Sequence, residues 1–77
     1  LKPIIMRTVL VFKTSICRKR DIKTVQPYLN TLIAKNGNWN FDLEDCDNIL
    51  RVETQNLIPD SICQTLHKQG FYCEELY

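Results

Sequence analysis

The chain has 77 residues, of which 44% are hydrophobic and 25% are charged, and its formal net charge is +1. This length predicts one domain, residues 1–77, with a small core. The near-neutral charge argues against nucleic acid as a partner, because nucleic-acid binders usually carry a basic excess on one face. No run approaches the ~18–20 apolar residues that a membrane span requires. We therefore expect neither a nucleic-acid nor a membrane partner.

Four cysteines stand at positions 17, 46, 63 and 73, and no two of them form a C-x-x-C pair. This spacing excludes zinc-ribbon and thioredoxin signatures. The start of the chain lacks a signal-peptide pattern, so we expect a cytoplasmic protein with reduced thiols, and a disulfide-stapled secreted domain is the alternative. Met6 directly precedes the first regular pattern. It is a candidate for the natural start, with residues 1–5 as an added or upstream segment.

The first predicted elements are a strand and a helix. The strand Arg7–Lys13 contains a continuous apolar run, which is typical of a central strand buried on both faces. After a loop over Thr14–Arg20, Asp21 is expected to cap a helix that spans Asp21–Lys35. Apolar residues recur there at helical spacing, at Ile22, Val25, Leu29, Leu32 and Ile33.

A proline interrupts the predicted helix. Pro27 should kink it near Lys23–Gln26, because proline lacks an N–H and clashes with the preceding turn. The alternative is a helix that begins later, with Pro27 in its first turn. The pair Asn36-Gly37 should end the helix, since both residues readily adopt the left-handed conformation.

The segment Asn38–Glu53 predicts a β-hairpin. Trp39, Phe41 and Leu43 alternate with polar residues, and a second alternating run follows the acidic turn Glu44–Asn48. The exposed edge at Asn38–Glu44 could pair with a second copy, but its acidic face opposes this pairing. We therefore expect a monomer or a weak dimer.

A second helix and a last strand complete the chain. Pro59 suits the first position of the helix, and Gly70 ends it. The last strand is predicted over Phe71–Leu76.

The element order predicts an α+β fold, the ferredoxin-like βαββαβ sandwich. Its four-stranded antiparallel sheet has the order 4-1-3-2, and both helices cover one face. The other face stays open and would carry either Leu10 and Phe12 or their neighbours Val9 and Val11. Exposed apolar residues there would either form an interaction surface or be scattered surface aliphatics.

With these elements the chain resembles the heavy-metal-associated family, the small copper-chaperone-like domains. The features that carry the resemblance are the strand RTVLVFK, the loop with Cys17, the proline-started second helix and the ending GFYCEEL. They span Arg7–Leu76. The resemblance implies binding of a soft metal ion, copper(I) or zinc, in the loop after the first strand.

The loop departs from the M-x-C-x-x-C motif of metal-binding family members. Cys17 matches the first cysteine, Arg20 stands at the place of the second, and Ile16 or Ser15 stands where methionine is expected. Soft metal ions favour sulfur ligands, so the loss of one thiolate makes this a degenerate metal loop.

The topology offers replacements for the missing ligand. The first loop, the hairpin turn and the end of the second helix gather at one end of the sheet, which places Cys17, Cys46 and His67 together. These three residues are the predicted metal ligands, with Asp45 and Asp47 beside Cys46 as further donors. The alternative is that His67 is an ordinary solvated histidine.

Cys17 differs from Cys63 and Cys73 in the chemistry that we expect of it. The cations Arg18–Arg20 and the following helix N-terminus favour the thiolate of Cys17, which makes it the best candidate for metal or redox chemistry. Cys63 and Cys73 are expected to act as small core hydrophobes.

Two functional hypotheses follow from the sequence. The first is a heavy-metal-associated-like domain that binds or handles copper or zinc through a degenerate site. The alternative is a protein-interaction or regulatory module that keeps the fold without the metal and binds a partner through the open sheet face. Catalysis is not expected, because the chain has one histidine, no phosphate loop and no serine-centred elbow.

Overall fold

The computed structural model describes residues 8–33, 37–44, 48–54 and 59–76. Along the chain it contains the elements β1 (Thr8–Thr14), α1 (Lys19–Ile33), β2 (Asn38–Asp42), β3 (Ile49–Thr54), α2 (Pro59–Lys68) and β4 (Cys73–Leu76). This order confirms the predicted α+β class.

The four strands form one antiparallel sheet in the order β2-β3-β1-β4. Read from the opposite edge, this order is 4-1-3-2. The central strand β1 pairs with β3, where Phe12 lies opposite Leu50, and with β4, where Thr14 lies opposite Cys73. The start of β4 is therefore fixed beside the end of β1.

The core lies between the two helices and one face of the sheet. Leu10 and Phe12 of β1 are buried there, whereas Val9 is 60% exposed on the other face. The prediction that β1 is buried on both faces is therefore wrong, because two helices cover only one face. The buried residues packed together in this core are Leu10, Phe12, Ile16, Val25, Leu29, Ile33, Leu50, Val52, Ile62, Leu66 and Cys73.

Helix α1 begins two residues before the predicted position. The carbonyl of Arg18 accepts hydrogen bonds from the N–H groups of Asp21 and Ile22, at 3.0 and 3.2 Å, so Arg18 is the N-cap residue. Asp21 instead lies in the first turn, where its carboxylate interacts favourably with the helix dipole. The expected Asp21 cap is wrong because basic residues are good helix formers and allow the helix to extend backward.

Pro27 lies inside α1, which continues to Ile33. The alternative of a late-starting helix is therefore wrong. The predicted last helical residue Lys35 and the stop residue Asn36 fall within residues 34–36, which lie outside the described residues. Gly37 follows, and a Cβ atom there would lie 2.4 Å from the carbonyl oxygen of Glu53, so this close approach of β3 requires glycine.

The hairpin strands β2 and β3 confirm the predicted alternation. Trp39 and Phe41 point toward the core side, with their ring centroids 5.8 Å apart in an edge-to-face arrangement. The Trp39 indole N–H also donates a 2.9 Å hydrogen bond to Oδ1 of Asn30, which joins β2 to α1. The turn residues 45–47 lie outside the described residues.

Helix α2 ends in a Schellman motif. The N–H of Phe71 donates to the carbonyl of Leu66, and the N–H of Gly70 donates to that of His67, each at 3.0 Å. Gly70 has a φ of 89°, the left-handed conformation that this motif requires. The motif occupies Phe71, so β4 begins at Cys73 rather than at Phe71 as predicted.

Both described helices are too short, and too polar, to cross a membrane.

Candidate functional site

Three connections meet at the end of the sheet where β1 ends. The Thr14 hydroxyl donates a 2.7 Å hydrogen bond to the carbonyl of Asn48, which precedes β3. The N–H of Ser15 donates to the carbonyl of Tyr72 at 3.2 Å, and the N–H of Tyr72 donates to Ser15 Oγ at 2.9 Å. The loop after β1, the end of the hairpin turn and the connection from α2 to β4 are thus fixed together.

Cys17 lies in the loop between β1 and α1 and is an exposed, free thiol. Arg18, Lys19 and Arg20 follow it and are also exposed. The loop therefore presents one sulfur ligand beside three cations, and this donor set does not fit a soft metal cation on its own.

His67 lies in the last turn of α2, and its side chain is exposed. Its Nε2 atom is 3.2 Å from the carbonyl oxygen of Cys73, and it donates a hydrogen bond there when Nε2 carries the proton. Cys46, the third predicted ligand, lies outside the described residues. Within the described ranges, no three His, Cys, Asp or Glu side chains converge closely enough to hold a metal ion. Because Cys46 lies outside these ranges, the set of Cys17, Cys46 and His67 stays a prediction.

A different pair of thiols comes together at this end of the fold. Cys63 of α2 and Cys73 of β4 lie with their Sγ atoms 3.4 Å apart, in hydrogen-bond contact. Both thiols are free. Cys73 is only 5% exposed within the core, whereas Cys63 is half-buried at its margin. Cys63 is therefore the more exposed residue of the pair, and Cys73 is the shielded one.

The turn at Gly70 places these two cysteines at equal distances from the turn, one along α2 and the other along β4. Cys63 lies seven residues before Gly70, and at ~1.5 Å per residue in a helix this is a distance of about 10 Å. Cys73 lies three residues after Gly70, and at ~3.3 Å per residue in a strand this is also about 10 Å. Because the Schellman motif reverses the chain, the two side chains meet across the interface between α2 and β4.

Burial raises the pKa of the Cys73 thiol well above its usual range, and the hydrogen bond with Cys63 raises it further. Cys73 is therefore a protonated thiol at neutral pH. Cys73 must therefore lose this proton as it binds a metal ion or attacks another sulfur.

The sequence does not predict this pair. Its pattern indicates that Cys63 and Cys73 act as small core hydrophobes, which agrees with the burial of Cys73 and the marginal position of Cys63. That expectation treats each cysteine alone and does not include the 3.4 Å approach of their Sγ atoms. The signal that could have revealed it is the matched spacing of the two residues on either side of Gly70.

The open sheet face is a second candidate surface. Val9 is 60% and Leu76 is 38% exposed, and Val11 lies between them and is paired with Leu76. The structure thus selects Val9 and Val11, rather than Leu10 and Phe12, for this face. A shallow depression of about 170 Å³ borders Val9, lined further by Asn38, Trp39, Asn40, Arg51, Val52 and Glu53.

Polar groups surround this apolar strip. Arg51 forms an ion pair with Asp42, with 3.6 Å between Nη1 and Oδ2. The Tyr72 hydroxyl donates a hydrogen bond to the Glu74 carboxylate, and this bond together with the Glu74 charge raises the pKa of Tyr72. The open face therefore combines a small apolar strip with a charged rim, as protein-binding surfaces often do.

No family model, curated protein or solved structure matches this chain. The resemblance to the heavy-metal-associated family stays a prediction.

Proposed function

We propose that this chain is a small binding domain for a soft metal ion, Cu(I) above all, and that Cys63 and Cys73 are its ligands. The observation that supports this proposal is the 3.4 Å separation of the two Sγ atoms. The site differs from the predicted set Cys17, Cys46 and His67, and it lies at the same end of the fold. Reduced thiols are required, in keeping with the expected cytoplasmic location.

The separation of the two sulfur atoms suits a shared metal ion. A metal–thiolate bond is ~2.3 Å long, so two sulfurs on one ion lie ~3.8 Å apart in tetrahedral geometry and at most ~4.6 Å apart in linear geometry. From 3.4 Å, the two sulfurs must move apart by about 0.4 Å for the tetrahedral arrangement and by at most about 1.2 Å for the linear one. Two sulfur donors favour Cu(I) over zinc. Two thiolates complete the coordination of Cu(I), whereas structural zinc sites take four ligands.

The two thiols contribute unequally to binding. Half-buried Cys63 offers the first sulfur to an arriving ion, and Cys73 adds a second sulfur from the core. Binding releases the thiol protons, and burial makes the proton of Cys73 the harder one to remove. His67 lies one helical turn after Cys63 and contacts the Cys73 carbonyl, so it holds the two elements together beside the site.

A competition titration tests the assignment. Reduced protein is titrated with Cu(I) against a coloured chelator, with Cys63→Ser and Cys73→Ser as test variants and Cys17→Ser and Cys46→Ser as matched controls. The proposal expects binding of one ion that is lost in both test variants and kept in both controls. Loss of binding in the controls alone would instead support the site predicted from the sequence.

The open face favours a second candidate function, the docking of a protein partner. The observation behind it is the exposure of Val9 beside Val11 and Leu76 on a face that neither helix covers. A partner that offers an apolar side chain to this strip would remove it from water.

The variant Val9→Asp tests the docking hypothesis, with Gln64→Asp, on the exposed surface of α2, as the control of equal charge. A specific partner should be retained by wild-type protein and by Gln64→Asp, and lost by Val9→Asp. A partner that Val9→Asp binds as tightly as wild type would exclude the open face as the binding surface.

A further inference from the structure

We propose that Cys63 and Cys73 also form a reversible intramolecular disulfide, and that a low-molecular-weight disulfide of the glutathione type is the oxidant. This modification goes beyond metal binding and does not depend on it. The inference rests on the placement of the two sulfurs and on the difference in their exposure.

The geometry permits the bond with a small movement. The two Sγ atoms are 3.4 Å apart, and a disulfide requires ~2.05 Å, so the sulfurs must approach by roughly 1.4 Å. Cys73 is fixed at the first position of β4 by its pairing with Thr14. Cys63 is at the margin of the core, on a helix that contacts β4. A side-chain rotation at Cys63 and a slight shift of α2 can therefore close the distance.

Exposure assigns the order of the two exchange steps. The thiolate of half-buried Cys63 attacks one sulfur of the external disulfide, which forms a mixed disulfide and releases the first small thiol. The Cys73 thiol then attacks Sγ of Cys63. Its proton passes to the departing small thiolate, which leaves as the second small thiol. The two electrons and two protons lost by the protein thiols are carried away by the two small thiols.

The bridge would link α2 to β4 around the Schellman turn. It closes a loop with nine residues between the two cysteines. Such a loop restricts the unfolded chain and fixes the edge strand β4 onto the helix. The oxidised pair has no free thiolate, so oxidation should also prevent Cu(I) binding, and this one consequence rests on the proposed function.

Oxidation with oxidised glutathione, the disulfide form, tests the inference in metal-free buffer with a chelator present. The substrate is the double variant Cys17→Ser/Cys46→Ser, in which Cys63 and Cys73 are the only thiols. The expected product has lost two hydrogen atoms and no free thiol remains, and peptide mapping joins residue 63 to residue 73. Its Tm should rise by on the order of 10 °C and return on reduction.

Two further variants in this background separate the steps. Adding Cys73→Ala should stop the reaction at a mixed disulfide on Cys63, and adding Cys63→Ala should leave Cys73 largely unmodified. Two persistent free thiols, or two separate glutathione adducts, would overturn the inference. Peptide mapping of oxidised wild-type protein gives an independent check, and a dominant bridge that involves Cys17 or Cys46 would also overturn it.

The outcome is independent of metal binding. A bridge between residues 63 and 73 in a protein whose reduced form binds no Cu(I) would retain the inference and reject the proposed function. Cu(I) binding without the bridge would give the reverse result.

Discussion

The Sγ atoms of Cys63 and Cys73 lie 3.4 Å apart, across the contact between the second helix and the edge strand of the sheet. The two residues reach this position from opposite sides of the Schellman turn at Gly70. Cys73 is sealed into the core, and Cys63 is half-buried at its margin. This pairing of a more exposed cysteine with a shielded one underlies the chemistry proposed for the domain.

The cysteine thiols should react with an uncharged alkylating reagent in the order Cys17, then Cys63, then Cys73. Cys17 is exposed, whereas burial both shields Cys73 and raises its pKa. Because each unit of increase in a thiol pKa lowers its thiolate fraction tenfold, we expect Cys73 to react more than ~100-fold more slowly than Cys17 at pH 7.5. Mass spectrometry of peptides from timed samples measures the rates. In denaturant the difference should vanish, and equal rates in the native protein would contradict the prediction.

Stability should fall as the pH rises above about 9, and Cys73 should account for part of the loss. The folded state raises the pKa of Cys73, so at high pH the unfolded chain releases this proton while the folded chain keeps it. The free energy of unfolding then decreases with pH by up to about 1.4 kcal/mol per unit above the usual thiol pKa of ~8.5.

Urea unfolding between pH 7.5 and 10.5 measures this dependence, with Cys73→Ala as the comparison. The variant should be less stable at neutral pH because it removes a buried atom, but its stability should depend less steeply on pH. Parallel pH profiles for the two proteins would show that Cys73 does not titrate as expected.

Pro27→Ala should stabilise the domain by about 1–2 kcal/mol. Pro27 lies inside α1, where its missing N–H leaves the Lys23 carbonyl without its helical donor. This costs ~3 kcal/mol of stability. Proline also reduces the entropy of the unfolded chain, which offsets part of that cost. Because Pro27 is exposed, the substitution opens no cavity. Chemical denaturation checks the change against Gln26→Ala, an exposed neighbour that should stay within about 0.5 kcal/mol of wild type. An unchanged or lower stability for Pro27→Ala would contradict this account of α1.

Asn30→Ala should lower the free energy of unfolding by about 1 kcal/mol, because it removes the acceptor of the 2.9 Å hydrogen bond from the Trp39 indole. The emission of Trp39, the only tryptophan in the chain, should shift as its indole N–H turns to water. Asn40→Ala is the matched control, an exposed asparagine on β2 beside Trp39. Equal losses in the free energy of unfolding for Asn30→Ala and Asn40→Ala would contradict the prediction.

The sequence predicted much of the fold, because the relevant signals are local. Alternation around Trp39 and Phe41 predicted the hairpin, and Pro59 and Gly70 marked the two ends of α2. The errors arose where a local pattern depends on its surroundings. The apolar run around Val9 resembles a strand buried on both faces, and only the placement of both helices on one side shows that Val9 is exposed.

The candidate site was harder to predict. The basic neighbours of Cys17 make it the best candidate from the sequence, and the structure places it as an exposed, free thiol in the loop. The approach of Cys63 to Cys73 depends on the tight reversal at Gly70 and on the pairing of Cys73 with Thr14. Both relations join separate elements, so neither appears in a pattern of neighbouring residues.

The most direct test is the Cu(I) stoichiometry of the reduced double variant Cys17→Ser/Cys46→Ser, measured against a competing chelator beside wild type. Cys63 and Cys73 are the only cysteines that remain in this variant. The proposed function predicts one bound Cu(I) with wild-type affinity, lost when Cys73→Ser is added and stronger at pH 8 than at pH 6. Loss of binding in the double variant itself, or no binding by wild-type protein, would contradict the assignment of the metal site to Cys63 and Cys73.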